Sequence, residues 1–105
     1  MARGRMRRVN EAVRAVLSDA ITRDLKDPRI GFVTVTAVDT NRDLRHATVY
    51  VSVLGEAEPS LHGLRSAHGF LQRRVAQELR LKHTPTLEFA YDDTAERADR
   101  INRLT

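Results

Sequence analysis

The sequence predicts an α+β sandwich of two layers, a three-stranded sheet with helices covering one face. Apolar residues recur every three or four positions in some segments and every second position in others. These segments run in the order helix, strand, strand, interrupted helix, strand, then a short helical stretch. At 105 residues and 11.9 kDa the chain has room for one modest core but not for a cleft between two lobes.

Met6, Val9, Val13, Val16, Leu17, Ala20, Ile21 and Leu25 form one apolar stripe, so a helix of about five turns is expected over 6–26, behind a mobile basic leader at 1–5. Asp27-Pro28 ends it, because the residue before proline is driven out of the helical region. Alternation then starts at Phe32, with Val33, Val35 and Ala37 on one face and Thr34 and Thr36 on the other. Past the polar loop 39–43, Ala47, Val49, Val51 and Val53 share a face opposite His46, Thr48, Tyr50 and Ser52, which completes an antiparallel hairpin.

Ser60 is the expected N-cap of the next helix, in which Leu61, Leu64, Leu71, Val75 and Leu79 keep helical spacing to about Leu81. Gly69 interrupts that run, where it costs about 1 kcal/mol relative to alanine. Leu87, Phe89 and Tyr91 alternate in a third strand, and a long crossover to it permits a mixed sheet. Ala95, Ala98, Ile101 and Leu104 give the spacing of a short helical tail over 93–105. A ferredoxin-like fold is the competitor, but it needs a strand ahead of the first helix.

There is no cysteine, which excludes disulfides and thiolate chemistry and favours a reducing, cytoplasmic setting. No apolar run is long enough to span a membrane. His46, His62, His68 and His83 lack metal-ligand spacing, no serine stands in a nucleophile elbow, and the acidic pairs sit at element boundaries. No catalytic residue, metal site or cofactor is expected.

The net charge of +4 conceals a pattern. Residues 1–29 hold eight Arg or Lys against four acids, and residues 65–83 hold five against one. Residues 39–64 and 86–105 are each acidic by two charges. Two basic blocks set against two acidic ones suggest a face that docks on a polyanion. Because sixteen of the eighteen cations are Arg, a GC-rich genome is an equally plain source of them.

Around Gly69 the sequence reads Arg65-Ser66-Ala67-His68-Gly69-Phe70-Leu71-Gln72-Arg73-Arg74. Ala67 and Gly69 admit a close backbone approach, and a helix break exposes amides to an anion, with arginines suited to phosphate on either side. A simple kink over the sheet with solvated arginines accounts for the same residues.

The order αββααβ with a small-residue break resembles the type II KH fold, whose members grip single-stranded RNA at a Gly-x-x-Gly loop. Here Ala67-His68-Gly69 stands in place of that loop, and an Ala-x-Gly interhelical kink is what the ribosome-binding factor A family carries. Lys26-Asp27-Pro28-Arg29-Ile30-Gly31 and Asp43-Leu44 followed by Ala47-Thr48-Val49-Tyr50-Val51-Ser52 are similar to its signatures. So are Gly69-Phe70-Leu71, Leu79-Arg80-Leu81, Thr84-Pro85 and Phe89-Tyr91-Asp92. The chain departs from the family in having no glycine near 95–98 and little after its terminal helical stretch.

The resemblance implies a single-domain, non-catalytic bacterial assembly factor for the small (30S) ribosomal subunit. It would act late, assist 5′-end processing of 16S rRNA and support growth in the cold. Its implied partners are the subunit, 16S rRNA near the 5′ end and assembly GTPases; the expected protein is a cytoplasmic monomer. On this reading Arg3, Arg5, Arg7 and Arg8 supply phosphate contacts from the first helix, and Arg65, Arg73, Arg74, Arg80 and Lys82 supply them around the kink. Ala67 and Gly69 admit the backbone, and His68 stacks on or hydrogen-bonds a nucleotide. A DNA-binding regulator with a glycine-broken basic helix and a protein scaffold recruiting a strand at the hairpin edge are the alternatives.

Overall fold

A computed structural model describes residues 2–93, with side chains from Gly4 onward; the helical tail expected over 93–105 lies almost wholly outside them. The elements are α1 (Ala2–Arg23), β1 (Phe32–Thr40), β2 (His46–Leu54), α2 (Ala57–Ser66), α3 (His68–Leu79) and β3 (Thr86–Tyr91). The sheet order is β1-β2-β3, with β1 antiparallel to β2 and β3 parallel to it. This is the expected αββααβ order.

The α1 stripe buries Val13, Val16, Leu17, Ala20 and Ile21. The sheet contributes Val35, Val38, Ala47, Val49, Val51, Leu87 and Phe89, and the paired helices add Leu61, Leu64, Leu71 and Val75. At roughly 1.5–3 kcal/mol for each fully buried large aliphatic or aromatic side chain, this one cluster dominates the favourable side of folding.

Helix α1 begins at Ala2, so residues 2–5 continue the helix instead of forming a separate leader. It stops at Arg23, short of the expected Lys26, because the following segment has its own closure. Asp27 Oδ1 accepts the Arg29 N–H at 2.9 Å, and Ile30 N–H donates to the Asp27 carbonyl at 3.0 Å. Pro28 sits at the second position of that turn, where its fixed φ fits. Ile30 then packs against Gly63 of α2, and Gly31 N–H donates to Ser60 Oγ at 3.1 Å.

Ser60 is therefore not the N-cap. It lies inside α2, almost fully buried, and its hydroxyl donates in turn to the Arg29 carbonyl at 3.4 Å. The helix starts at Ala57, ahead of Pro59, because a proline in the first turn gives up an N–H that has no intrahelical partner there.

The hairpin register departs from strict alternation at one point. Val35 pairs with Val51 and Ala37 with Tyr50, leaving Thr36 as an extra residue in a β-bulge. The bulge reverses the faces beyond it, so Val38 is buried and Ala37 exposed, opposite to the alternation expected for Ala37. Strand β1 runs on to Thr40, into the loop expected over 39–43, and the Thr40 N–H donates to Asn10 Oδ1 of α1 at 2.9 Å.

Gln72 of α3 fixes the start of β3. Its side-chain amide donates to the Pro85 carbonyl and accepts the Leu87 N–H at 3.2 Å.

Candidate nucleic-acid interface

The two helices after the hairpin are separated by Ala67 alone, at φ −87°, ψ 7°. Its N–H reaches the carbonyls of both Gly63 and Leu64 at 3.1 Å, while its own carbonyl accepts the Leu71 N–H at 3.1 Å. The chain thus leaves one helix and enters the next within one residue, in the sparsely populated bridge region. The break falls at Ala67 instead of Gly69, which is the second residue of α3.

Gly69 is exposed, and a Cβ built on it would meet only Arg73 Nη1, at 4.0 Å. Among the described residues, no close contact requires glycine there. Gly63 is the opposite case: a Cβ there would lie 2.6 Å from Ile30 Cγ1, so this glycine is needed for helix α2 to seat on the loop after α1.

The predicted contact residues separate into distinct settings. Ala67 and His68 are half-buried at the junction, and Arg73 is exposed beside Gly69. Arg65 Nη2 donates to the Phe89 carbonyl at 3.4 Å, laying its side chain along β3.

Arg74 is turned inward to the protein's own acids. It pairs with Asp24, with Asp19 at 3.7 Å and with Glu78 at 3.2 Å, and its guanidinium stands 5.9 Å from the Phe70 ring centre. Its side chain is 23 % exposed. The carboxylate of Asp24 and then that of Glu78 hold the guanidinium charged, raising its pKa further. The residue expected to grip phosphate instead joins α3 to α1.

Arg80 ends α3 in the left-handed region at φ 48°, ψ 42°, a conformation that costs a non-glycine residue of order 1 kcal/mol or more. Lys82 does not stand with Gly69. It lines a cleft with Arg45, His46, His83, Thr84 and Thr86.

Arg3 lies in the first turn of α1, and Arg5, Arg7 and Arg8 are exposed just beyond it. The positive end of the helix dipole is where cations are least favoured, and the first turn holds no acid. Such a placement opposes helix stability and favours attraction of an anion. Arg5 and Met6 share a cavity with Arg42 and Leu44 of the hairpin loop, and Arg7 shares a second one with Arg42.

Arg42 and Arg45 are missed by the sequence-based expectations because the stretch around them is net acidic. Their signal is local: two arginines in a five-residue hairpin loop. Among the described residues no group of His, Asp or Glu could hold a metal ion, and no helix is long and apolar enough to cross a membrane.

Helices over one face of a mixed three-stranded sheet, broken at a single small residue, define a KH-like domain with an Ala-x-Gly junction in place of the Gly-x-x-Gly loop. Residues 5–105 match the family described as ribosome-binding factor A, and the chain belongs to that family. It is 45 % identical over 103 residues to ribosome-binding factor A of Natranaerobius thermophilus, covering 95 % of this chain and 79 % of that one. The crystal structure of ribosome-binding factor A from Thermus thermophilus superposes with a TM-score of 0.77 at 30 % identity, covering 82 % of this chain and 94 % of the other. A homology model of the Thermus thermophilus factor, fitted into a cryo-EM map of a 30S complex, matches with a TM-score of 0.71 at 30 % identity, covering 81 % and 92 %.

Proposed function

We propose that this chain is a non-catalytic assembly factor that binds the small (30S) ribosomal subunit through 16S rRNA near its 5′ end. It acts late in subunit maturation, assists 5′-end processing and sustains assembly in the cold. The single observation carrying this reading is membership of the ribosome-binding factor A family, of which the Thermus thermophilus member has been fitted into a 30S complex. The chain works as one cytoplasmic, monomeric domain, functionally coupled to assembly GTPases.

The physical basis is the exposed guanidinium groups of Arg5, Arg7 and Arg8 on α1 and of Arg73 beside Gly69, with the exposed Lys82 lining a separate cleft. With about five phosphates neutralised, log affinity falls against log salt with a slope near −3.5 to −4.5. Co-sedimentation with purified small subunits across a salt series tests this. Pelleting that vanishes with rising salt supports the reading; no pelleting at low salt, or a flat salt response, overturns it. Depletion should lengthen the 5′ end of 16S rRNA and slow growth most in the cold.

A further inference from the structure

We propose that the cleft lined by Arg45, His46, Lys82, His83, Thr84 and Thr86 is a phosphate-binding site for the RNA backbone, separate from the Ala67–Gly69 junction. This deepens the proposed function and rests on RNA being the partner.

The cleft has fixed walls. Strands β2 and β3 start side by side in parallel, with His46 opposite Thr86, so the residues leading into both strands are presented together. Thr86 N–H donates to the Arg45 carbonyl at 2.7 Å, tying one wall to the other. The hairpin loop is closed by Asn41 N–H on the His46 carbonyl at 2.8 Å and by Leu44 N–H on the Asn41 carbonyl at 2.9 Å. The opposite wall is held by Gln72 through Pro85 and Leu87.

The lining chemistry is one-sided. Arg45 and Lys82 bring permanent positive charge, His46 and His83 bring ring N–H donors, and Thr84 and Thr86 bring hydroxyls. None of the six is a carboxylate; the nearby Asp43 is engaged by the Arg45 backbone N–H at 2.9 Å. Two cations and four further donor side chains lining one opening suit a phosphodiester, with Arg45 able to bind it through two N–H groups. Arg42, in the same loop, continues the positive surface toward Arg5 and Arg7 of α1.

The test is an NMR titration of the full chain with a short single-stranded oligouridylate, and in parallel with inorganic phosphate. The expected result is saturable movement of the Arg45, His46, His83 and Thr84 amides with the oligonucleotide and none at equal concentrations of free phosphate. The double variant R45E/K82E should bind the oligonucleotide at least about tenfold more weakly at about 0.1 M salt, with a salt slope shallower by about 1.4. R45Q/K82Q, which only removes charge, should fall between the two. Amide movement confined to Ala67–Gly69, undiminished affinity of both double variants, or equal response to free phosphate overturns the site. Oligonucleotide binding at the cleft by a chain that fails to pellet with small subunits upholds the site and overturns the subunit assignment. Equal pelleting of wild type and R45E/K82E, with the same salt slope, upholds the subunit and overturns the site.

Discussion

Arg74 of α3 donates to Asp24, the residue that follows α1, fifty positions away in sequence, and the same guanidinium also reaches Asp19 and Glu78. A cation that looks free for phosphate in the sequence is thereby built into the seam between two helices. Its neighbour Arg73 projects into solvent one turn from Gly69. Adjacent arginines therefore have different tasks, and substitution separates them.

Replacing Arg74 with Gln should lower the melting temperature, because three carboxylates lose their shared cation. D24N should do the same, and combining the two should cost less than the sum of the single effects, as expected for residues in one network. R73Q should leave the melting temperature within error while weakening co-sedimentation with small subunits. Thermal melts and pelleting of the four variants decide this; an R73Q protein that melts early, or an R74Q protein that does not, contradicts the assignment.

The two helical glycines should respond to alanine with opposite signs. In G63A the new methyl lies 2.6 Å from Ile30 Cγ1, on a residue whose backbone is held by the Asp27 turn, so the loop must move. Overpacking of this kind costs typically about 1–3 kcal/mol and should outweigh a helix-propensity gain of about 1 kcal/mol. G69A meets nothing closer than Arg73 Nη1 at 4.0 Å and should gain about 0.5 kcal/mol, the low end of the Gly-to-Ala range. The same change should weaken RNA binding if a nucleotide backbone lies against Gly69. Denaturant unfolding of both variants measures the signs.

Periodicity made the element order legible, because burial on one face repeats along each helix and strand. The residues that went astray were those whose role depends on a distant partner. Thr36 reads as one more alternating residue, since the local sequence does not mark which position of an edge strand will bulge. Ser60 has the composition of an N-cap, but its hydroxyl is committed to Gly31 and Arg29 across the fold. Arg74 shows its charge in the sequence and its acidic partners only in three dimensions. Arg42 and Arg45 were hidden by regional charge sums, which average away a short basic loop.

Acid stability should carry the mark of Asp27. Hydrogen bonds from the Arg29 side chain, and then from its backbone N–H, lower the Asp27 pKa from 3.8 to about 2. Because the folded value is the lower one, the unfolded chain binds more protons as pH falls. The stabilisation is full above about pH 4 to 5 and disappears as pH drops through 3.8 toward 2. D27N should therefore be less stable than wild type near neutrality, with the gap closing across that window. Urea melts of both proteins from pH 6 to 2 check it; a gap that stays constant with pH would remove Asp27 from the account.

Gln72 is the residue on which the start of β3 depends. Its amide serves the Pro85 carbonyl and the Leu87 N–H at once, at a point where Pro85 and Leu87 are both buried. Replacing it with Ala leaves two buried backbone groups without those partners, which should cost about 1–3 kcal/mol for each group that water does not reach. The loss should be local as well as global. The Leu87 amide should exchange with solvent much faster in Q72A than in wild type, while the Val49 amide of the central strand should change only by the global loss of stability. If both amides accelerate equally, Gln72 acts only on the stability of the whole fold. If neither does, its hydrogen bonds do not hold β3. Because Gln72 also braces one wall of the Arg45–Lys82 cleft, Q72A should weaken oligonucleotide binding without altering a single charge.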